Sequence, residues 1–119
     1  MVLADTTIWI DHLRHGDQGL VGLLEDGRVA AHPFVVGELA LGSLRRRSET
    51  LHLLRRLPQA IVATDDEVSL LIETSRLFSR GIGYVDAHFI ASVRLTPDLR
   101  LWTRDRRLHS VAKDLSIAF

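Results

Sequence analysis

The chain has 119 residues, 46% of them apolar, and its basic and acidic side chains balance at a formal net charge of zero. This composition excludes a disordered chain, and it excludes a protein that binds nucleic acid through a strong overall charge. There is no cysteine, so disulfides and thiolate metal sites are excluded, and no apolar run approaches the roughly 20 residues that span a bilayer. We expect one domain over residues 1–119, without a secretion signal and located in the cytoplasm.

The first eleven residues, MVLADTTIWID, organise the prediction. Val2–Ala4 is a short apolar run, typical of a strand that is buried on both faces. Asp5 ends that run, and helical spacing begins directly after it. An acid in this position lies at the carboxyl end of a strand, where ligands bind in open parallel sheets. Asp is also a preferred helix N-cap, so a purely structural interpretation of Asp5 stays open.

The rest of the chain alternates between predicted helices and strands. The later predicted strands are short apolar runs between turn signals, at residues 28–32, 60–63, 99–102 and 116–118. After the helix that follows Asp5, helices are predicted at residues 19–25, 34–44, 49–56, 85–95 and 105–113. A further, long helix is capped at Thr64 or Asp65 and reaches Phe78. This alternation predicts a three-layer α/β domain, with helices on both faces of a parallel sheet.

Acidic residues occupy comparable positions in this pattern. Asp5 follows the first predicted strand, Asp105 follows the fourth, and Asp86 opens the helix before the fourth strand. Each has a structural explanation, because Asp caps helices and the helix dipole favours an anion in the first turn. If the first and fourth strands are neighbours, however, Asp5 and Asp105 meet at one crevice, which favours a functional site.

Glu38 is the acid that a helix cap does not explain. The residues three and four positions away are apolar or glycine, so we expect its carboxylate in the middle of an apolar stripe on a buried helix. A buried carboxylate is costly unless it pairs with an arginine or binds a metal. Both interpretations stay open at this point.

The acids together favour a cation site. Several carboxylates without a cysteine or histidine motif suit a hard ion, Mg²⁺ or Mn²⁺, which polarises phosphoryl oxygens and activates water. Thr7 and Thr103 each lie two residues from one of the acids, where a hydroxyl can orient a carboxylate or a water molecule.

Two other interpretations of the acids remain. One is a metal-binding phosphotransfer domain, but a receiver-type module requires paired acids after the first strand, and an α/β phosphatase requires an Asp where Thr7 stands. The other is a non-enzymatic α/β interaction module, whose acidic pocket binds a basic peptide of a partner.

Three stretches carry a resemblance to a known family. They are LADTTIWIDHL at residues 3–13, YVDAHFIASVRL at 84–95 and LWTRDRRLHSVAKDLSI at 101–117, with a weaker match in the helix 33–42 that contains Glu38. In this order, they resemble the PIN-domain ribonucleases, specifically the VapC-type toxins of bacterial toxin–antitoxin pairs. The matching stretches together span almost the whole chain, but residues 48–77 match the family only in general pattern.

The resemblance implies a function and a fold. The function is an endoribonuclease that cleaves RNA with one or two divalent cations, Mg²⁺ or Mn²⁺. Carried over by position, the catalytic quartet is Asp5, Glu38, Asp86 and Asp105, with Asp5, Asp86 and Asp105 as metal ligands. Thr7 and Thr103 match the small polar residues beside the first and last acids. The implied fold is a five-stranded parallel sheet in the order 3-2-1-4-5.

The resemblance also implies partners. They are a small VapB-type antitoxin, whose C-terminal segment wraps the toxin and blocks the site, and a second copy of the chain in a homodimer.

The arginines fall into three clusters, 45–47, 55–56 and a group around Asp105. Short charge runs usually form solvated faces. Because Arg104, Arg106 and Arg107 flank Asp105, we expect this third cluster to hold the RNA backbone beside the acids.

Overall fold

A computed structural model describes all 119 residues, and strands and helices alternate along the chain. The strands are β1 (Val2–Ala4), β2 (Val29–Ala30) and β3 (Arg100–Trp102). The helices are α1 (Thr6–His15), α2 (Gln18–Glu25), α3 (Pro33–Ala40), α4 (Arg47–Arg56), α5 (Asp65–Thr74), α6 (Tyr84–Leu95) and α7 (Arg106–Asp114). None of these helices is both long enough and apolar enough to span a bilayer.

The strands form one parallel sheet in the order β2-β1-β3. Successive strand residues point to opposite faces of a sheet, and Val2, Leu3 and Ala4 are all buried. Both faces of β1 are therefore covered, as the predicted α/β class requires. Because β1 pairs with β3, the first and fourth predicted strands are neighbours, and the residues that follow them lie at the same edge of the sheet.

The structure has three strands where the sequence predicts five. Gln59, just before the third predicted strand at residues 60–63, forms a single bridge with Ala31. The fifth predicted strand contributes one bridge, from Ala118 to Leu101. Beyond Gln59, the N–H of Ile61 donates to the hydroxyl of Thr96 (2.9 Å) instead of to a neighbouring strand. The five-stranded order 3-2-1-4-5 therefore stays a prediction.

Near the C-terminus, backbone geometry limits the last predicted strand. Ser116 has a left-handed backbone (φ 59°), and the N–H of Ile117 donates to the carbonyl of Ala112 (2.9 Å), which closes the end of α7. Only the bridge at Ala118 is left to extend the sheet.

The third helix is shorter and less buried than the sequence predicts. It ends at Ala40, because the poor helix formers Gly42 and Ser43 follow. Only Val35 and Leu39 of this helix are buried. The prediction of a buried helix is therefore wrong for one face of α3, which remains open to solvent.

A hydrophobic core holds the sheet and the helices in fixed relation. Leu3 and Leu101 of neighbouring strands pack in one cluster with Ile8 and Trp9 of α1 and with Phe89 of α6. In α6, the residues 87–93 are all buried. This burial anchors the helix whose first turn carries Asp86.

Candidate active site

The carboxylate of Asp5 is buried at the carboxyl end of β1 and forms the N-cap of α1. Its Oδ1 accepts hydrogen bonds from the backbone N–H groups of Thr7 (3.0 Å) and Ile8 (3.4 Å) and from the Thr7 hydroxyl. Its Oδ2 accepts a hydrogen bond from the hydroxyl of Thr103. Burial raises the pKa of Asp5, and these hydrogen bonds oppose the rise. Asp5 is thus a helix cap and also a buried acid at the edge of the sheet.

The two threonine hydroxyls tie the segment after β3 to Asp5. The Thr7 hydroxyl accepts a hydrogen bond from the N–H of Arg104 (3.0 Å), and the Thr103 hydroxyl accepts one from the N–H of Asp105 (3.1 Å). The N–H of Asp5 itself donates to the carbonyl of Trp102 (3.0 Å). The position of Asp105 relative to Asp5 is therefore set by a continuous hydrogen-bond network.

Each of the other three acids is held through one carboxylate oxygen. The pairs are Asp105 Oδ1 with the N–H of Leu108 (2.9 Å), Asp86 Oδ2 with the N–H of Gly83 (3.1 Å), and Glu38 Oε1 with the hydroxyl of Thr6 (2.7 Å). None of the four acids forms an ion pair with a basic side chain. One oxygen of each of these three carboxylates therefore stays available to a ligand.

Glu38 is exposed, which contradicts the prediction of a carboxylate inside a buried apolar stripe. Because α3 turns Val35 and Leu39 to the core, Glu38 lies on its open side, without an arginine partner. Its hydrogen bond to Thr6 joins α3 to the first turn of α1. Thr6 is not among the predicted site residues, although it is the first of two consecutive threonines after Asp5.

The charges of the other three acids act on Asp86. Burial is the main cause that raises the pKa of Asp86, and the negative charges of Asp105, Asp5 and Glu38 raise it further against the hydrogen bond from Gly83. The structure thus places Asp5, Glu38 and Asp105 close enough to Asp86 for their charges to act on it. As the side chains stand, no three acidic or histidine side chains form a ready ligand set for a metal ion. The chemistry of the donors fits Mg²⁺ or Mn²⁺, because all are carboxylates and their mutual repulsion favours a cation.

Arg104 is held by acids of its own fold. Its guanidinium donates to Asp11 Oδ2 (2.9 Å) and to Asp17 Oδ2, and it lies 5.6 Å from the centre of the Trp102 ring. The hydrogen bond from Arg104 lowers the pKa of Asp17. Both ion pairs of Arg104 are therefore made with acids of its own fold, Asp11 in α1 and Asp17 at the N-cap of α2.

Arg106 and Arg107 in the first turn of α7 are exposed and form no ion pair. The Arg107 side chain lies over Gly81, where a Cβ would come within 2.7 Å of Arg107 Cδ. Gly81 also has a left-handed backbone (φ 79°), so glycine suits both the turn and the contact. Arg107 is thereby directed along the segment that leads to Asp86.

Comparison with known proteins agrees with this arrangement. Residues 2–114 match the PIN domain. Two relatives are called Ribonuclease VapC32, from the CDC 1551 / Oshkosh and ATCC 25618 / H37Rv strains of Mycobacterium tuberculosis. Each is 48% identical over 118 residues, which cover 99% of this chain and 95% of the relative. The chain therefore belongs to the PIN-domain family, among its VapC-type ribonucleases.

Proposed function

We propose that the chain is a divalent-metal-dependent endoribonuclease that acts as the toxin of a type II toxin–antitoxin pair. The observation that carries this proposal is the meeting of Asp5, Glu38, Asp86 and Asp105 at one edge of the sheet, without a basic side chain to neutralise them. The names of the two relatives support RNA as the substrate.

Asp5, Asp86 and Asp105 are the residues that would hold Mg²⁺ or Mn²⁺. When bound, such an ion polarises a phosphoryl oxygen and lowers the pKa of water. The repulsion that raises the pKa of Asp86 supports this assignment, because a cation between the acids would offset it. Thr7 and Thr103 orient the carboxylate of Asp5 through their hydrogen bonds.

Glu38 and the exposed arginines act beside the metal ligands. Glu38 is held at Oε1 by Thr6, so its Oε2 is free to accept a proton from the attacking water. Arg106 and Arg107 contact phosphates on the RNA, whereas Arg104 contributes less because Asp11 and Asp17 bind its guanidinium.

The proposed role as a toxin requires partners. The VapC designation of the relatives supports a VapB-type antitoxin that covers the acids and blocks cleavage. A homodimer is the expected state of the free toxin.

The deciding experiment is incubation of the freshly purified chain with total RNA in Mg²⁺, in Mn²⁺ and in EDTA. We expect internal cleavage with either ion and none with the chelator. Asp105→Asn is the variant to compare with the wild-type chain. Asparagine still caps α7 at Leu108, while the negative charge is removed. Cleavage that survives EDTA would contradict the metal mechanism. RNA binding without cleavage in all conditions would favour the non-catalytic interaction module.

A further inference from the structure

A groove leaves the acidic site between α1 and the segment that joins α3 to α4. Its first part is a cavity of about 510 Å³ whose lining includes Glu38 and Arg45. A second cavity, of about 640 Å³, continues past Arg46. The two cavities share Leu13 and Arg45, so the groove is continuous from the catalytic edge to the start of α4.

The groove has an apolar floor and a basic rim. Ile10, Leu13 and Leu39 line its first part. On the rim, Arg14, Arg45 and Arg46 are exposed, and the only acid besides Glu38 is Glu49. In a chain with a net charge of zero, this is a local excess of positive charge.

The rim arginines are free, in contrast to other arginines of the chain. Arg14, Arg45 and Arg46 form no ion pair. Arg47, by comparison, donates two hydrogen bonds to the carbonyl of Ala40 (3.0 and 2.8 Å), and Arg104 is bound by acids. The first arginine cluster is therefore divided into one structural residue, Arg47, and two exposed residues that line the groove, Arg45 and Arg46.

We propose that this groove holds the RNA strand that leads to the scissile phosphate, with Arg45 and Arg46 on its phosphates. The inference rests on the proposed endoribonuclease function. An anionic strand fits because the free guanidinium groups bind phosphate and their planes can stack on unpaired bases. Continuity with Glu38 places the same strand at the acids.

The test removes charge from the rim and measures RNA binding separately from cleavage. The variant is Arg45→Gln with Arg46→Gln, and the matched control is Arg28→Gln with Arg55→Gln, two exposed arginines away from the groove. The probe is a labelled single-stranded RNA of about 12 nucleotides, within the range of known binding-site sizes, in EDTA, so that no cleavage occurs. Melting temperatures check that both variants fold.

We expect the rim variant to bind this RNA about tenfold more weakly, because two exposed charge contacts are lost. The slope of log affinity against log salt should fall in magnitude by about 1.4, or roughly 0.7 for each phosphate contact on a single strand. In Mn²⁺, the KM for the same RNA should rise without a change in kcat, and cleavage of a dinucleotide should stay at the wild-type rate. The control should match the wild-type protein.

Equal RNA affinity and salt slope in the rim variant and the wild-type protein would overturn the proposal. If the variant instead loses only the binding of its antitoxin, the groove belongs to a protein partner, which also overturns it. The binding measurement is independent of catalysis. A wild-type protein that binds RNA through the rim but never cleaves it would therefore support the groove and contradict the endoribonuclease.

Discussion

The ends of β1 and β2 each carry a buried titratable side chain that caps the next helix. Asp5 follows β1 and caps α1, and His32 follows β2 and caps α3. Asp5 is 3% exposed and His32 is not exposed at all. Burial shifts the pKa of both groups toward the neutral form, upward for the acid and to about 4 for the histidine.

The two positions differ in what surrounds them. His32 Nδ1 accepts a hydrogen bond from the N–H of Phe34 (2.9 Å), so its proton lies on Nε2, which donates to the Ser92 hydroxyl (3.0 Å). The rings of Phe34 and Phe89 pack against it edge-on. Asp5 instead lies beside three acids that carry free oxygens. The same position in the fold is thus enclosed and structural at His32, whereas at Asp5 it borders the charged, open edge where we propose the chemistry.

The largest effect that tests this contrast is the loss of cleavage in Asp5→Asn. Asparagine keeps the cap of α1, so we expect the free energy of unfolding without metal to stay within about 1 kcal/mol of the wild-type value. RNA cleavage should fall more than about 100-fold, since the loss of an outer partner of a metal ligand alone costs 10- to 100-fold. Added Mn²⁺ should raise the melting temperature of the wild-type protein far more than that of the variant. Strong destabilisation with an unchanged response to Mn²⁺ would make Asp5 a cap only.

The enclosed position is tested by pH. The pKa of His32 in the fold is about 4, below its ordinary 6.5, so the unfolded chain binds more protons between these values. The stability that neutral His32 contributes is complete above pH 6.5 and is lost as the pH falls toward 4. Between pH 7 and 4.5, this loss should be about 2 kcal/mol.

The variant for this measurement is His32→Asn, which can still cap α3 but does not titrate. Urea unfolding from pH 7 to 4.5 should give a shallower loss of stability than in the wild-type protein. His52→Asn, at an exposed position on α4, serves as the control. Nearby His88 also contributes to the lowered pKa of His32, so only the difference between variant and wild type is compared. Identical pH profiles would mean that folding does not lower the pKa of His32.

A third prediction concerns the network between the strand ends. Thr103→Val removes the hydroxyl that donates to Asp5 Oδ2 and accepts from the N–H of Asp105. We expect a loss of about 1–3 kcal/mol in the free energy of unfolding at pH 7, because polar groups of the network are left unpaired. Thr74→Val, which removes an exposed hydroxyl bonded to a carbonyl in α5, should cost less. Equal costs for the two variants would show that the network does not stabilise the fold.

The smallest effect is expected at Thr6. Thr6→Val removes the hydrogen bond to Glu38 without removing a charge, and we expect kcat to fall about tenfold. The free energy of unfolding should change by less than about 0.5 kcal/mol, because the contact is exposed. Steady-state cleavage kinetics and urea unfolding measure the two quantities. An unchanged kcat would show that Glu38 needs no support from α1.

The sequence by itself determined the features that depend on neighbouring residues. The buried strand before Asp5 follows from a local apolar run, and the helix starts at Asp5, Thr64 and Asp105 follow from cap chemistry. The motifs around Asp5, Asp86 and Asp105 were enough to indicate the PIN-domain family, which the comparisons confirm. These features can be predicted from the sequence because the spacing of residues in a helix or a strand is set within a few residues.

Only the tertiary structure decided which distant groups meet. Arg104 pairs with Asp11 and Asp17, which lie 93 and 87 positions away along the chain, so its charge is bound within the fold. Glu38 is exposed because α3 packs by Val35 and Leu39, a choice that its nearly uniform apolar sequence does not reveal. In such a helix, the spacing of the apolar residues does not indicate which face is buried. The neighbouring elements determine that face.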